Sequence, residues 1–319
     1  MLNFGIIGLN EGNGHPYSFS AVFNGYNEAA LDAECPFEII RQYLKAHHRN
    51  REFIADARVT HIWTQNRSLS ESVARVSNIA QVVDRAEEMI GQVDGIIFAR
   101  DDIWNHWEMA RPFLEAGLPI YMDKVMGHTP DTLEKFIAAT GPAYPIMTAS
   151  SFRFAPEVEK ARRTLDLGKV KTIHAISPCI WIRYAAHLLD PICSLFGYDI
   201  DRVQNLGGKN ADSVFIHYKT GLTVIAQVIE NVALPLEFRC FSEKNIPPYC
   251  VQYTDPTLES YFLSISRMMQ TFAEKVRGGD FPVAEYERSV VLNRLILAGE
   301  LSRDAHGRPV SFPALEVCM

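Results

Sequence analysis

A chain of 319 residues, 47% hydrophobic and 22% charged, has an ordinary globular composition and is long enough for two cores. Its net charge of −7 argues against the basic footprint that nucleic-acid binding requires. No apolar run approaches the ~18 residues of a membrane span, and the N-terminus lacks the basic and apolar regions of a secretory signal. A cytoplasmic protein is therefore expected, with neither membrane nor nucleic acid as partner. Six cysteines, at 35, 179, 193, 240, 250 and 318, are scattered without metal-ligand spacing. They read as reduced thiols, and no metal site is expected.

Leu2-Asn-Phe-Gly-Ile-Ile-Gly8 is a short apolar run of the kind a buried parallel strand shows. The turn Gly8-Leu-Asn-Glu-Gly12-Asn-Gly14 follows, then His15 and Pro16, the latter suited to the first position of a helix. Glycines between a strand and a helix let the backbone approach a pyrophosphate seated on the helix N-terminus. Asn10 stands where G-x-G-x-x-G has its middle glycine, and the spacing is longer by one, so an ordinary tight turn is the competing reading. Runs over 58–64, 95–99 and 120–122, with helical patterns between them, predict a parallel sheet with helices on both faces.

A long segment, 24–57, precedes the second of these strands and contains a helical pattern over 37–46 and a basic cluster over 47–51. It reads as a functional loop, a subunit contact or a surface insertion. From His106 the chain reads as a helix closed by Gly117, then a short strand ending on Asp123-Lys124. Ligands of open α/β sheets bind outside the carboxyl ends of the strands, so Lys124 stands where a ligand would be; a solvated lysine at a loop start is the alternative. Ala99, Asp101, Asp102, Trp104 and Asn105 end the preceding strand and face the same crevice. Their acidic pair suits acid–base work unless the loop is merely solvated.

Beyond Lys124 the pattern changes. Thr129-Pro130-Asp131 is a helix start, and helix 155–165 leads into strand 170–176. A helix over 184–196 follows, then strands within 213–241 with a hairpin at Lys219-Thr-Gly221, then helices over 258–276 and 284–302. Strands in a block followed by helices predict an α+β second domain, giving boundaries 1–124 and 125–319.

Taken together, these segments resemble the Gfo/Idh/MocA oxidoreductases. The family's His, Glu-Ala-Gly and Glu-Lys-Pro signature is similar to His106, Glu115-Ala-Gly117 and Asp123-Lys124-Val125. Ser151-Phe-Arg153-Phe resembles the opening of the family's second domain, His187-Leu-Leu-Asp190 its His-x-x-Asp segment, and Phe272 to Glu287 its C-terminal helix pair. The resemblance implies an N-terminal Rossmann domain and an α+β domain with an open, mainly antiparallel sheet. It also implies an NAD(P)-dependent oxidoreductase acting on a sugar, sugar acid, nucleotide-linked sugar or cyclic polyol, assembled as a homodimer or homotetramer. Valine in place of the family's proline after the lysine predicts a trans peptide there.

On this reading Lys124 and His187 are the candidate catalytic residues, the first holding the substrate oxygen or, with a depressed pKa, shuttling its proton, and the second suited to proton transfer near neutrality unless it is a hydrogen-bonded core histidine. Gly8, Asn10, Gly12, Asn13, Gly14, His15, Thr64, Asn66, Arg67, Ala99, Asp101, His106 and Asp123 are the candidate cofactor-binding residues. Arg153, Trp181, Arg183, Tyr184 and Asp190 are the candidate substrate residues. Arg153 lines the substrate cleft or anchors the interdomain seam through an ion pair; Trp181 and Tyr184 form a sugar-stacking wall or belong to the core; Asp190 orients His187 or pairs with a base. Arg183, four residues before His187 where many relatives carry Asp, points to an anionic or strongly polar substrate group. After the second strand, Thr64-Gln-Asn-Arg-Ser68 has an arginine and no carboxylate, which favours NADP over NAD. Two rival functions remain: a redox-assisted lyase or hydrolase that retains its cofactor, and a non-catalytic sensor of dinucleotide or sugar.

Overall fold

The computed structural model describes residues 1–48, 54–208, 210–253, 257–279 and 281–312. The chain divides into two compact units, the first from residues 1–127, 131–149 and 257–289, the second from 128–130, 150–256 and the residues from 290 on. Residues 49–51 of the basic cluster, Asp280 and Cys318 lie outside the described residues.

In the first unit the chain runs β1 (Leu2–Ile7), α1 (His15–Asn24), α2 (Glu28–Glu34), α3 (Glu38–Tyr43), β2 (Ala57–Trp63), α4 (Arg67–Val76) and β3 (Gln81–Val82). It continues through β4 (Gly95–Phe98), α5 (His106–Glu115), β5 (Ile120–Asp123), α6 (Pro130–Thr140) and β6 (Ile146–Ala149). The strands order β3-β2-β1-β4-β5-β6, all parallel. Every residue of β4, β5 and β6 is buried, as expected of strands covered on both faces. The sequence reading closed this sheet at Met122. It missed β6, a four-residue strand whose apolar run is interrupted by Thr148, too short to separate from a buried helix segment by periodicity.

The 24–57 insertion is not a free surface loop where it is described. Asn27 caps α2 by accepting from the Ala30 N–H at 3.0 Å, and α3 continues into one turn of π-helix, Leu44–His48. Phe37 and Ile40 pack on Gly14, where a Cβ would meet Ile40 Cδ1 at 2.5 Å and Phe37 Cδ2 at 2.6 Å. The insertion thus braces the glycine turn from outside.

The second unit contains α7 (Pro156–Thr164), β7 (Val170–Pro178), α8 (Trp181–Phe196), β8 (Ile200–Asn205), β9 (Ala211–Tyr218), β10 (Thr223–Ile229), β11 (Glu237–Ser242), β12 (Tyr249–Gln252) and β13 (Val310–Ser311). Its sheet orders β12-β11-β7-β10-β9-β8-β13, with β7 and β10 parallel and the other pairs antiparallel. Residues of β9 alternate between buried and half-buried, the pattern of a sheet packed on one face. Two long helices complete the chain, α9 (Glu259–Gly278) and α10 (Val283–Asp304). In the first unit α9 packs on β1 and β5 through Phe272, whose ring lies 5.4 Å from Phe4 and 6.0 Å from Tyr121. Among the described residues, no helix is long and apolar enough to cross a membrane.

Candidate active site

The parallel sheet reverses its order between β1 and β4, and at that switch point an open α/β sheet leaves a crevice outside the carboxyl ends of its strands. The residues emerging there are the glycine turn after β1, Ala99–Asn105 after β4, and Asp123-Lys124 at the end of β5. Gly12 takes a left-handed φ of 78°, with open space where a side chain would begin, so the backbone of the turn is accessible. α1 opens at His15, with Pro16 in its first turn.

The polar side chains of the turn are held by two buried acids. Asn10 Nδ2 donates to Asp101 Oδ1 at 2.7 Å, and the Asp101 N–H donates back to Asn10 Oδ1 at 3.1 Å. Asp101 Oδ2 lies 3.9 Å from Lys124 Nζ, both residues being 4% exposed. Asp123 Oδ2 accepts from His15 Nδ1 at 2.5 Å and from Asn13 Nδ2 at 3.2 Å. Asn13 Oδ1 in turn accepts the His15 N–H at 2.8 Å. Lys124 is therefore not a solvated loop lysine, and Asp101 and Asp102 are not a solvated pair.

Arg100 was not singled out from the sequence, although an arginine directly after a buried apolar run was the available signal. Its guanidinium grips Asp102 at 2.8 and 2.5 Å, donates to Gln65 Oε1 at 2.8 Å and reaches the Leu9 carbonyl at 3.4 Å. It thereby ties together the segments following β1, β2 and β4. Burial alone would push the Asp102 carboxyl up, but hydrogen bonds from Arg100 and Asn105, with the arginine charge, hold it below the usual carboxylate range.

His106 lies fully buried under the crevice. Nδ1 is 2.8 Å from the Val125 carbonyl and Nε2 3.0 Å from the Arg100 carbonyl. Burial lowers its pKa against the opposing pull of those carbonyls and of Asp102 and Asp123. It is a strut between the segment after β4 and the segment after β5. The Lys124–Val125 peptide that it braces is cis, contrary to the trans geometry expected for valine, as is Gly8–Leu9.

Beside β2, the Thr64 hydroxyl donates to the Asn66 carbonyl at 2.6 Å and pairs with the Ser70 hydroxyl. Asn66 caps α4 by accepting from the Ser68 N–H at 2.9 Å. Arg67 is ion-paired to Glu71 at 3.1 Å and to Asp84. Of these two carboxylates, Asp84 lies seventeen residues further along the chain.

In the second unit His187 Nδ1 meets the Ser150 hydroxyl at 2.8 Å, and the Ser150 N–H donates to Asp190 Oδ2 at 2.8 Å. Asp190 thus reaches His187 through Ser150. It also pairs with Arg153, whose Nη1 lies 3.5 Å away, an ion pair within the second unit. Tyr184 stands edge-on to His187 with ring centroids 5.2 Å apart, and Arg183 is half-buried on the first turn of α8. Trp181 forms no sugar wall: it is fully buried, donates Nε1–H to the Ile296 carbonyl at 2.9 Å and packs where Gly299 has no side chain.

No protein-family model matches the chain, and no curated protein is similar to it in sequence. Solved structures are similar in fold. The myo-inositol dehydrogenase of Lactobacillus casei, in complex with NAD(H) and myo-inositol, has a TM-score of 0.76 at 11% identity, covering 99% of this chain and 98% of that one. A myo-inositol dehydrogenase from Corynebacterium glutamicum has a TM-score of 0.74 at 16% identity over 98% and 100%. The UDP-N-acetylglucosamine 3-dehydrogenase of Acidithiobacillus ferrooxidans has 0.71 at 10% over 96% and 98%. The chain thus has the fold of the inositol dehydrogenases, a parallel Rossmann-type sheet and a second mixed sheet, as its resemblance to the Gfo/Idh/MocA oxidoreductases implied.

Proposed function

We propose that the chain is a nicotinamide-dinucleotide-dependent oxidoreductase that moves hydride to or from a secondary hydroxyl or carbonyl carbon of a cyclic polyol or sugar-type substrate. The observation that carries this reading is a buried ammonium, Lys124, at the carboxyl end of β5, in one crevice with an accessible glycine turn. The first unit would hold the dinucleotide. Gly12 offers open backbone, Gly8 lets the turn lie against Pro16 of α1, and Gly14 lets it lie against Phe37 and Ile40, so the residues present fit such a group. The bound cofactor supplies the hydride-accepting ring. The protein's own work is to hold the substrate hydroxyl and to take or return its proton.

Lys124 donates a hydrogen bond to the substrate oxygen in this proposal, and His187, its Nδ1 engaged by Ser150, is the proposed proton-transfer residue. Arg183 and Tyr184 are proposed substrate contacts. Among possible substrates, myo-inositol and nucleotide-linked sugars are supported by what the Lactobacillus casei and Acidithiobacillus ferrooxidans proteins are named for. For the cofactor we read NAD rather than NADP: Arg67 is neutralised by Glu71 and Asp84, and the extra phosphate of NADP would compete with both carboxylates. A homodimer or homotetramer formed through the half-buried face of the second sheet is the assembly proposed.

Titration with NAD, NADP and a panel of polyols and sugar acids, for wild type and Lys124→Met, tests the reading. Wild type should bind a dinucleotide and turn over at least one substrate. Lys124→Met should keep the dinucleotide and lose more than nine-tenths of turnover. Retained turnover would refute the role given to Lys124.

A further inference from the structure

Asn10 breaks the glycine pattern of its turn, and Asp101 puts a charge into the segment after β4; the two side chains meet. Asn10 clamps Asp101 at two points, 2.7 Å to Oδ1 and 3.1 Å from the backbone N–H. The other carboxylate oxygen faces Lys124 Nζ at 3.9 Å. A glycine at position 10 would have no side chain with which to hold the acid. A neutral residue at 101 would deprive a lysine only 4% exposed of this counter-charge, and a buried charge stripped of its partner is strongly destabilising.

We propose that Asp101 is a positioning residue. It fixes the Lys124 ammonium and, through Asn10, couples the lysine to the glycine turn, so that ordering the turn around a dinucleotide and setting the ammonium are a single event. The coupling to a dinucleotide rests on the function proposed above; the Asn10–Asp101–Lys124 link does not.

The pair exerts opposed fields on anything bound beside it. The nicotinamide ring of NAD+ is positively charged and that of NADH is neutral, so deleting either charge changes their relative affinity. A unit charge acting across roughly 10 Å at an effective dielectric constant of about 20 shifts that ratio about tenfold.

The experiment titrates NAD+ and NADH into wild type, Asp101→Asn, Lys124→Met and the double variant. It also records ligand-free melting of Asn10→Ala, Asp101→Ala and their double variant. Asp101→Asn should raise the ratio of the NAD+ to the NADH Kd about tenfold, Lys124→Met should lower it, and the double variant should return near wild type. In melting, Asn10→Ala and Asp101→Ala should each lower Tm, with the double variant falling little further than the worse single one. Parallel changes in the two affinities would overturn the positioning role, and additive Tm losses would overturn the link. Wild type binding neither dinucleotide, with the melting pattern as expected, would overturn the coupling and the proposed function but leave the link standing.

Discussion

Asp123→Asn removes a carboxylate that is 1% exposed and shared by His15 and Asn13. The bond from Asn13 can be kept by the new amide oxygen, but the bond from His15 loses its charged acceptor. A hydrogen bond to a charged group is worth about 1.5–3 kcal/mol and a neutral one about 1 kcal/mol, so the expected net loss is about 1–2 kcal/mol. For a unit of this size that corresponds to a Tm drop of roughly 2–8 °C. Urea unfolding at neutral pH, with the slope checked for two-state behaviour, reads the loss directly. His15→Ala should cost a similar amount in wild type and much less in Asp123→Asn, giving a coupling of about 1 kcal/mol. Because Asn13 and His15 also shape the glycine turn, the same variants should weaken dinucleotide binding. A loss below about 0.5 kcal/mol with additive single effects would refute the argument that Asp123 holds the turn.

His106 has a pKa lowered by burial, so below about pH 6.5 the unfolded chain takes up a proton that the folded one resists. Stability should therefore fall between about pH 7.5 and 5.5, and His106→Gln, though less stable overall, should lose less over that window; parallel pH curves would contradict this. Trp181→Ala should cost about 3–5 kcal/mol in urea unfolding while leaving substrate KM unchanged, because the ring is core. Arg67→Ala should leave the NAD and NADP affinities within about threefold of wild type, since its charge is already met by Glu71 and Asp84; a selective loss of NADP in equilibrium titration would restore the NADP reading.

The fold was legible wherever a long-range pattern repeated locally. Leu2–Ile7, Gly95–Phe98 and Ile120–Asp123 are short apolar runs followed by turn residues, and the two C-terminal segments are long and rich in helix formers, so each was found nearly to its ends. In β6 Thr148 interrupts the apolar run and β3 has only two residues, so pairing with neighbours is what makes them strands. For the site, sequence adjacency gave the candidates but not their partners. Asn10 looked like a defect in a glycine motif until Asp101, ninety-one residues away, supplied its reason. Arg67 looked like a free cation until the fold brought Asp84 beside it. For Trp181 two readings stood open, a sugar-stacking wall or the more common core aromatic, and its enclosure, with Nε1–H donated to the Ile296 carbonyl, decides for the core.

Net formation of reduced nicotinamide during turnover tests most directly what this crevice does. With NAD+ and a panel of cyclic polyols, sugars and nucleotide-linked sugars, near-ultraviolet absorbance of the reduced ring should rise in proportion to substrate consumed, and not in Lys124→Met. Substrate loss without accumulated NADH would mean redox-assisted elimination or hydrolysis. Dinucleotide binding with no chemistry on any of the panel would contradict the oxidoreductase reading and favour a sensor.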